Sequence, residues 1–273
     1  MPEGPEIRLA ADKVAGAIVG RPTTAVFFAF AVLKPYESQL TGVTVTAVDT
    51  YGKAMVTRFA NGLAIYSHNQ LYGIWQISRA GTLPDTTRQL RLAIHNAAQS
   101  ALLYSASEIE VLREGEIEAH PFISRIGPDL LHETTTVGVI RKRLADGRFN
   151  GRSLTALLLD QQFLAGLGNY LRSEILFVSK LHPSLRPKDC TPAQLDALAA
   201  ACQNLTWQSY RTHGITNDLV LAERLKAQGV AYRDYRFWVF NRDDHPCYQC
   251  GTPIVKETLG GRRLYYCPTC QAV

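Results

Sequence analysis

Two groups of residues in this chain have the types and spacing to do chemistry. The first is the opening hexapeptide MPEGPE, which is stiff for a terminus and places Pro2 directly before Glu3. Removal of Met1, which a small second residue permits, would leave Pro2 as a secondary amine at the chain end. An α-amino group has an ordinary pKa of about 7.7–8.0, against about 10.4 for lysine, so a useful fraction is uncharged and nucleophilic near neutral pH. The second group is CYQC at 247–250 and CPTC at 267–270. Paired thiols two residues apart can reach one small sphere, and two such knuckles on a hairpin complete a tetrahedral zinc site with Cys247, Cys250, Cys267 and Cys270. Four protein ligands leave no position for an activated water, so one structural zinc is expected and not a hydrolytic one. A redox CxxC would need a strand-helix context that is missing here.

A third stretch, LLLDQQFLAGLGNYLRSEIL at 157–176, reads as two apolar helical segments around a corner in which Gly166 and Gly168 allow a sharp turn. Asn169 can present its amide at the start of the second segment, where backbone N–H groups favour an anion. An ordinary helical hairpin with a glycine corner accounts for the same residues.

These groups need elements to hold them. Ile7, Ala11, Val14 and Ile18 recur at helical spacing, with Pro5 suited to a first turn and Gly20 to an end. Beyond them VTVTAVDT, AMVTRFA, LAIYSHN, IWQIS, LRLAIHN and SALLYSA are short, β-branched or aromatic, and partly alternating, with Asn61-Gly62 marking a tight hairpin. Residues 1–130 are therefore predicted to form a mostly β domain, a sandwich or barrel. From Val137 the pattern turns helical over 137–147, 154–166, 169–181 and 191–210. In the last of these Thr191 is a cap, Pro192 a first-turn proline, and Leu195, Leu198 and Ala199 a buried stripe. Residues 206–228 read as a helix or mobile loop, and 206–240 match no pattern. The predicted divisions are 1–130, 131–238 and 239–273.

The chain has 273 residues, 46% hydrophobic and 19% charged, an ordinary globular balance that excludes wholesale disorder. No stretch is apolar enough for a membrane span and the start lacks the layout of a secretory signal, so a cytoplasmic address is expected. The formal net charge of +5 suits a polyanionic partner, although four thiolates around one zinc lower it to about +3. If the zinc segment contacts such a partner at all, it must do so through Arg262, Arg263 and Lys256; a zinc ribbon by itself fits DNA binding, RNA binding and protein docking alike. Cys190 and Cys202 read as small buried apolar side chains.

MPEGPE, YGKAM, SHNQLYG, RIGPDLL, LLDQQFLAGLGNYLRSEIL and CYQC…GRRLYYCPTCQ together resemble the formamidopyrimidine-DNA glycosylase and endonuclease VIII family of bacterial base-excision repair enzymes, and SHNQLYG resembles the endonuclease VIII branch. The resemblance spans nearly the whole chain. It implies an α+β multidomain fold: an N-terminal β-sandwich with an N-terminal helix, a helix-two-turn-helix domain and a C-terminal zinc-finger β-hairpin, together clamping damaged double-stranded DNA.

By the same resemblance, Pro2 is the nucleophile that attacks the sugar C1′ and forms a Schiff base. Glu3 is the acid that protonates the sugar ring oxygen, and Lys53 is a second proton donor. Gln70, Leu71 and Tyr72 fill the void left by the everted nucleotide, Arg125 and Asn169 hold phosphates around it, and Arg262 grips the flanking phosphates and assists the second elimination. Glu6 has a supporting role, and Asp160 and Glu174 are expected to organise the turn. The implied activity is that of a bifunctional glycosylase and abasic-site lyase acting on oxidised pyrimidines by β,δ-elimination, in a bacterial cytoplasm on the nucleoid, as a monomer without a small-molecule cofactor. Two alternatives remain at this point: an oxidised-purine glycosylase, and a zinc-ribbon protein that binds damaged nucleic acid without catalysis.

Overall fold

A computed structural model of the chain describes residues 2–272 and divides it into two compact units. The first comprises Pro2 and Glu6–Arg125; the second comprises Glu3–Pro5 and the chain from Ile126 onward.

Helix α1, Gly4–Ile18, follows the predicted spacing, and from Glu6 it belongs to the first unit. Ile7, Ala11, Val14 and Ile18 are all buried on its inner face. Strand β1 (Ala25–Phe28) and the short helix α2 (Tyr36–Leu40) precede seven further strands: β2 (Val45–Tyr51), β3 (Ala54–Phe59), β4 (Leu63–His68), β5 (Ile74–Arg79), β6 (Leu90–His95), β7 (Gln99–Tyr104) and β8 (Glu108–Arg113). They form two four-stranded antiparallel sheets in the orders β1-β6-β7-β5 and β2-β3-β4-β8. Alternate residues of both sheets, among them Phe28, Leu92, Ile94, Leu103, Met55, Phe59, Ile65 and Ile109, interdigitate with α1 in one core. Asn61-Gly62 makes the predicted turn between β3 and β4: Gly62 has φ +79°, and the Asn61 side chain accepts from the Leu63 N–H. The outer face of the second sheet is also covered, because Ala54, Val56, Ala64 and Tyr66 pack against Ile117, Phe122 and Ile123.

In the second unit, α3 (Val137–Ala145), α4 (Leu154–Leu157), α5 (Asn169–Val178), α6 (Pro192–Arg211), α7 (Leu219–Ala227) and α8 (Tyr232–Tyr235) precede the hairpin β9 (Val255–Leu259) and β10 (Arg262–Tyr266). Helix α6 starts as predicted, with Thr191 and Gln194 in a reciprocal capping box and Pro192 in the first turn. Two expectations need correction. The helix anticipated over 154–166 stops after Leu157, because Asp160 accepts from the Gln162 N–H and pairs with Arg152, folding the chain into a turn whose Ala165 pairs with Asp129. Residues 206–228, expected as one helix or mobile loop, are the end of α6 followed by α7 with Asp218 as its cap, and α8 comes after them. Of the two isolated cysteines, Cys202 is fully buried and its thiol is pushed up to about 12 by burial, whereas Cys190 is half-buried. Among the described residues no helix is long and apolar enough to cross a membrane.

Candidate active site

The second unit gathers its chemistry around α5. This ten-residue helix is buried from Tyr170 to Phe177, and apolar residues alone do not fill that span, since Arg172, Ser173 and Glu174 lie in the middle of it with no exposure. Each of the three has a partner. The Arg172 guanidinium donates to the Arg263 carbonyl at 2.6 Å and to the Thr155 carbonyl at 3.4 Å, while its Nε has no hydrogen-bond partner. Ser173 Oγ accepts from the Tyr265 N–H at 3.2 Å. Glu174 accepts from the N–H groups of Trp238, Val239 and Phe240 at 2.7, 2.9 and 2.9 Å and from the Thr216 hydroxyl at 2.6 Å. One short stretch of α5 thus holds both β10 and the segment that leads into the hairpin. Burial pushes the Glu174 carboxyl up, and these four donors pull it back. Burial also lowers the Arg172 guanidinium to about 10, with Glu3 opposing that shift and Arg262 adding to it. Arg172 and Arg262 line a cavity of about 540 Å³ together with Thr155, His182 and Tyr266.

The start of α5 holds Glu3. Its two carboxylate oxygens accept the Tyr170 and Leu171 N–H groups at 2.9 and 3.3 Å, and Glu3 is only 2% exposed. The glycines of AGLGN make this possible. Gly166, at φ +98°, accepts the Gly4 N–H through its carbonyl at 2.8 Å. A Cβ on Gly168 would lie 2.4 Å from the Glu3 carboxyl carbon. The helix N-terminus that could have taken an external anion is therefore filled by a side chain from the other end of the chain. Gly168→Ala has a permitted backbone (φ −143°), so it should fold and push the Glu3 carboxylate off the helix. Moving it leaves the Tyr170 and Leu171 N–H groups without their acceptor, so a loss of stability of about 1–3 kcal/mol for each donor that water cannot reach is expected, and calorimetry checks this.

Asn169 is the first residue of α5 and half-buried, as the glycine corner predicted. Asp160 organises the preceding turn, whereas Glu174 acts on the segment entering the hairpin. Arg262 is exposed at the start of β10, just after Gly260-Gly261, whose positive φ values make the tight turn. The sequence signal for Arg172 and Ser173 is three consecutive polar residues, Arg172 to Glu174, inside an apolar helix. Successive helical positions turn by about 100°, so three in a row cannot all avoid the core.

The sulfurs of Cys247, Cys250, Cys267 and Cys270 lie within 4.8 Å of one another, with Cys250–Cys267 at 3.4 Å and Cys247–Cys270 at 3.9 Å. A tetrahedral zinc with bonds of about 2.3 Å requires sulfur–sulfur edges of about 3.8 Å. Backbone N–H groups of Gln249 and Cys270 point at the sulfurs of Cys247 and Cys267. The donor set fits one structural zinc.

In the first unit, Lys53 is half-buried in the β2–β3 turn beside Gly52, which has φ +62°. Pro2 is half-buried, as is Glu6 in the first turn of α1. Arg125 is exposed at the end of a short 3-10 turn. Residues 69–73 form the turn between β4 and β5, closed by the Gly73 N–H donating to the Asn69 carbonyl, and they hold Leu71 and Tyr72 at 53% and 70% exposure. The loop is nonetheless pinned. Arg88 donates to the Tyr72 carbonyl at 2.8 Å, and the Gln70 N–H donates to His68 Nδ1 at 3.0 Å. That bond needs an unprotonated Nδ1, and burial lowers the His68 pKa from 6.5 against the pull of Glu108 and with the help of Lys53. Because the folded value lies below the unfolded one, the unfolded chain takes up the proton first. Stability should be level above pH 6.5, decline as the pH falls from there to the folded value, and be level again below it. Calorimetry across this range should show a shallower decline for His68→Asn, whose amide oxygen replaces the Nδ1 acceptor.

Comparison with known proteins places these features in a family. Residues 1–106 match the formamidopyrimidine-DNA glycosylase N-terminal domain, 126–218 the formamidopyrimidine-DNA glycosylase H2TH domain, and 244–273 a zinc finger found in FPG and IleRS. The chain is 50% identical over 271 residues to Endonuclease 8 of Salmonella schwarzengrund and of Shigella sonnei, covering 99% of this chain and 100% of each relative. Solved structures of the Lactococcus lactis Fpg with N7-benzyl-Fapy-dG DNA and with abasic-site DNA share its fold, each with a TM-score of 0.82 at 19% identity; they cover 100% and 99% of this chain, respectively, and 100% of the Lactococcus lactis chain in both cases. The chain belongs to the formamidopyrimidine-DNA glycosylase and endonuclease VIII family of DNA glycosylases and abasic-site lyases.

Proposed function

We propose that this protein removes oxidised pyrimidines from duplex DNA and cleaves the strand at the resulting abasic site. The full-length 50% identity to Endonuclease 8 carries the choice of branch. The Pro2 lone pair forms a bond to C1′ as the N-glycosyl bond breaks and the base leaves. Glu3 takes the N–H proton that Pro2 loses and delivers it to the ring oxygen as the sugar opens, leaving a cationic iminium. Loss of the C2′ proton then expels the 3′ phosphate by β-elimination, and a second elimination expels the 5′ phosphate. Glu3 suits its role because the start of α5 fixes its position within hydrogen-bond distance of two backbone donors. Lys53 acts as the second proton donor, with Glu6 in support.

Gln70, Leu71 and Tyr72 fill the gap left by eversion, which costs a few kcal/mol of unstacking that damaged bases reduce. A loop tip with two exposed apolar side chains on a pinned backbone is suited to that insertion. Arg125, Asn169 and Arg262 hold phosphates without reading sequence. Residues 1–130 carry the chemistry, 131–238 the helical DNA contacts and 239–273 the finger. The protein acts as a monomer, in the cytoplasm on nucleoid DNA, with zinc in a structural role and without a small-molecule cofactor.

The test is a competition between duplexes carrying an oxidised pyrimidine and an oxidised purine. The pyrimidine lesion is expected to be excised at least about tenfold faster, a difference of about 1.4 kcal/mol in transition-state binding. Faster excision of the purine would move the protein to the other branch.

A further inference from the structure

Gln70 is tethered through its side chain as well as its backbone. Its Nε2 donates to Glu108 Oε2 at 2.7 Å. Glu108 stands opposite His68 in the β4–β8 register, and its other oxygen takes the Tyr66 hydroxyl at 3.2 Å. Tyr66 is fully buried, and burial together with Glu108 pushes its phenol up, so it is a donor at any physiological pH. An ionised carboxylate can only accept hydrogen bonds, so the amide of Gln70 can face it with its NH₂ group alone. A glutamine without this partner could present either end. Here the carbonyl oxygen is turned away from Glu108, on a residue held at φ +48° by the His68 bond.

We propose that Glu108 is a positioning residue that sets the polarity of the Gln70 amide, so that the loop offers a hydrogen-bond acceptor to the base left unpaired opposite the lesion. This rests on the reading of residues 70–72 as the void-filling wedge. An acceptor there favours a base whose pairing edge carries adjacent donors. Guanine offers N1–H and N2–H₂ side by side, whereas adenine presents the N1 acceptor at the centre of its edge. The protein should therefore excise a lesion opposite guanine about three- to tenfold faster than the same lesion opposite adenine, the worth of one net hydrogen bond.

The experiment measures kcat/KM for one oxidised pyrimidine opposite guanine and opposite adenine with wild type, Glu108→Ala, Glu108→Gln and Gln70→Ala. The guanine-to-adenine ratio is read on a single preparation, so an inactive fraction cancels. The ratio is expected to fall to about one in Glu108→Ala and in Gln70→Ala. Glu108→Gln, which can accept from or donate to the Gln70 amide, should lie between these and wild type and supplies the answer if the alanine variant does not fold. A wild-type ratio in both Glu108 variants, with a flat one in Gln70→Ala, overturns the role of Glu108 alone. A wild-type ratio in Gln70→Ala overturns the wedge reading and the proposal with it.

Discussion

A form of the protein with residues retained ahead of Pro2 is expected to bind duplex DNA carrying an abasic site and yet give no covalent adduct on reduction with borohydride. The processed form should be trapped through Pro2. The argument is chemical before it is structural. An amide nitrogen has no lone pair to donate, so converting the Pro2 secondary amine to an amide removes the nucleophile proposed above, while the exposed Arg125 and Arg262 and the loop at 69–73 are untouched. Strand cleavage should fall by about 10⁴-fold or more, as for loss of other catalytic nucleophiles. Pro2→Ala keeps a free primary amine and should retain part of the activity. Gel trapping with mass spectrometry of the adduct distinguishes the three forms, and normal cleavage by a blocked terminus would place the nucleophile elsewhere.

The second large effect is expected at Glu174. Its carboxylate collects three consecutive backbone N–H groups, from Trp238 to Phe240, and the Thr216 hydroxyl, in a site with no exposure. Glu174→Ala leaves these donors buried without an acceptor, at about 1–3 kcal/mol for each one that water cannot reach. A loss of about 4 kcal/mol or more is expected, concentrated on the segment that enters the zinc hairpin. Glu174→Gln keeps one acceptor oxygen but turns an NH₂ toward other donors, so it should recover only a small part. Denaturant unfolding measures the loss. Hydrogen exchange should show the 238–240 amides opening first, while α3 and α6, which make no hydrogen bond to Glu174, remain protected.

Much of this molecule could be read from short stretches. The Thr191-Pro192 helix start, the Asn61-Gly62 turn and the two cysteine knuckles depend on residues within a few positions of one another, and each stands where it was expected. Two strands that carry weak local signals depend on distant partners. AVFF in β1 is short and EIEVLR in β8 carries charges, and each is a strand by virtue of its neighbour, β6 and β4 respectively. The helical pattern of 154–166 was overridden by Asp160, whose carboxylate offered the Gln162 N–H an alternative to the next helical turn.

The sequence alone determined what chemistry is available: a proline at position 2 beside a carboxylic acid, four thiolates for one metal, and a family signature that joins them. Tertiary structure alone decided where the charged groups are spent. It seats Glu3 on the first turn of α5, some 167 positions away, turns Arg172, Ser173 and Glu174 onto the hairpin and its approach, and sets Glu108 against Gln70. The physical reason is desolvation. A buried carboxylate or guanidinium must find donors or acceptors wherever the packed chain brings them, and that choice is made by the whole core and not by neighbours in sequence.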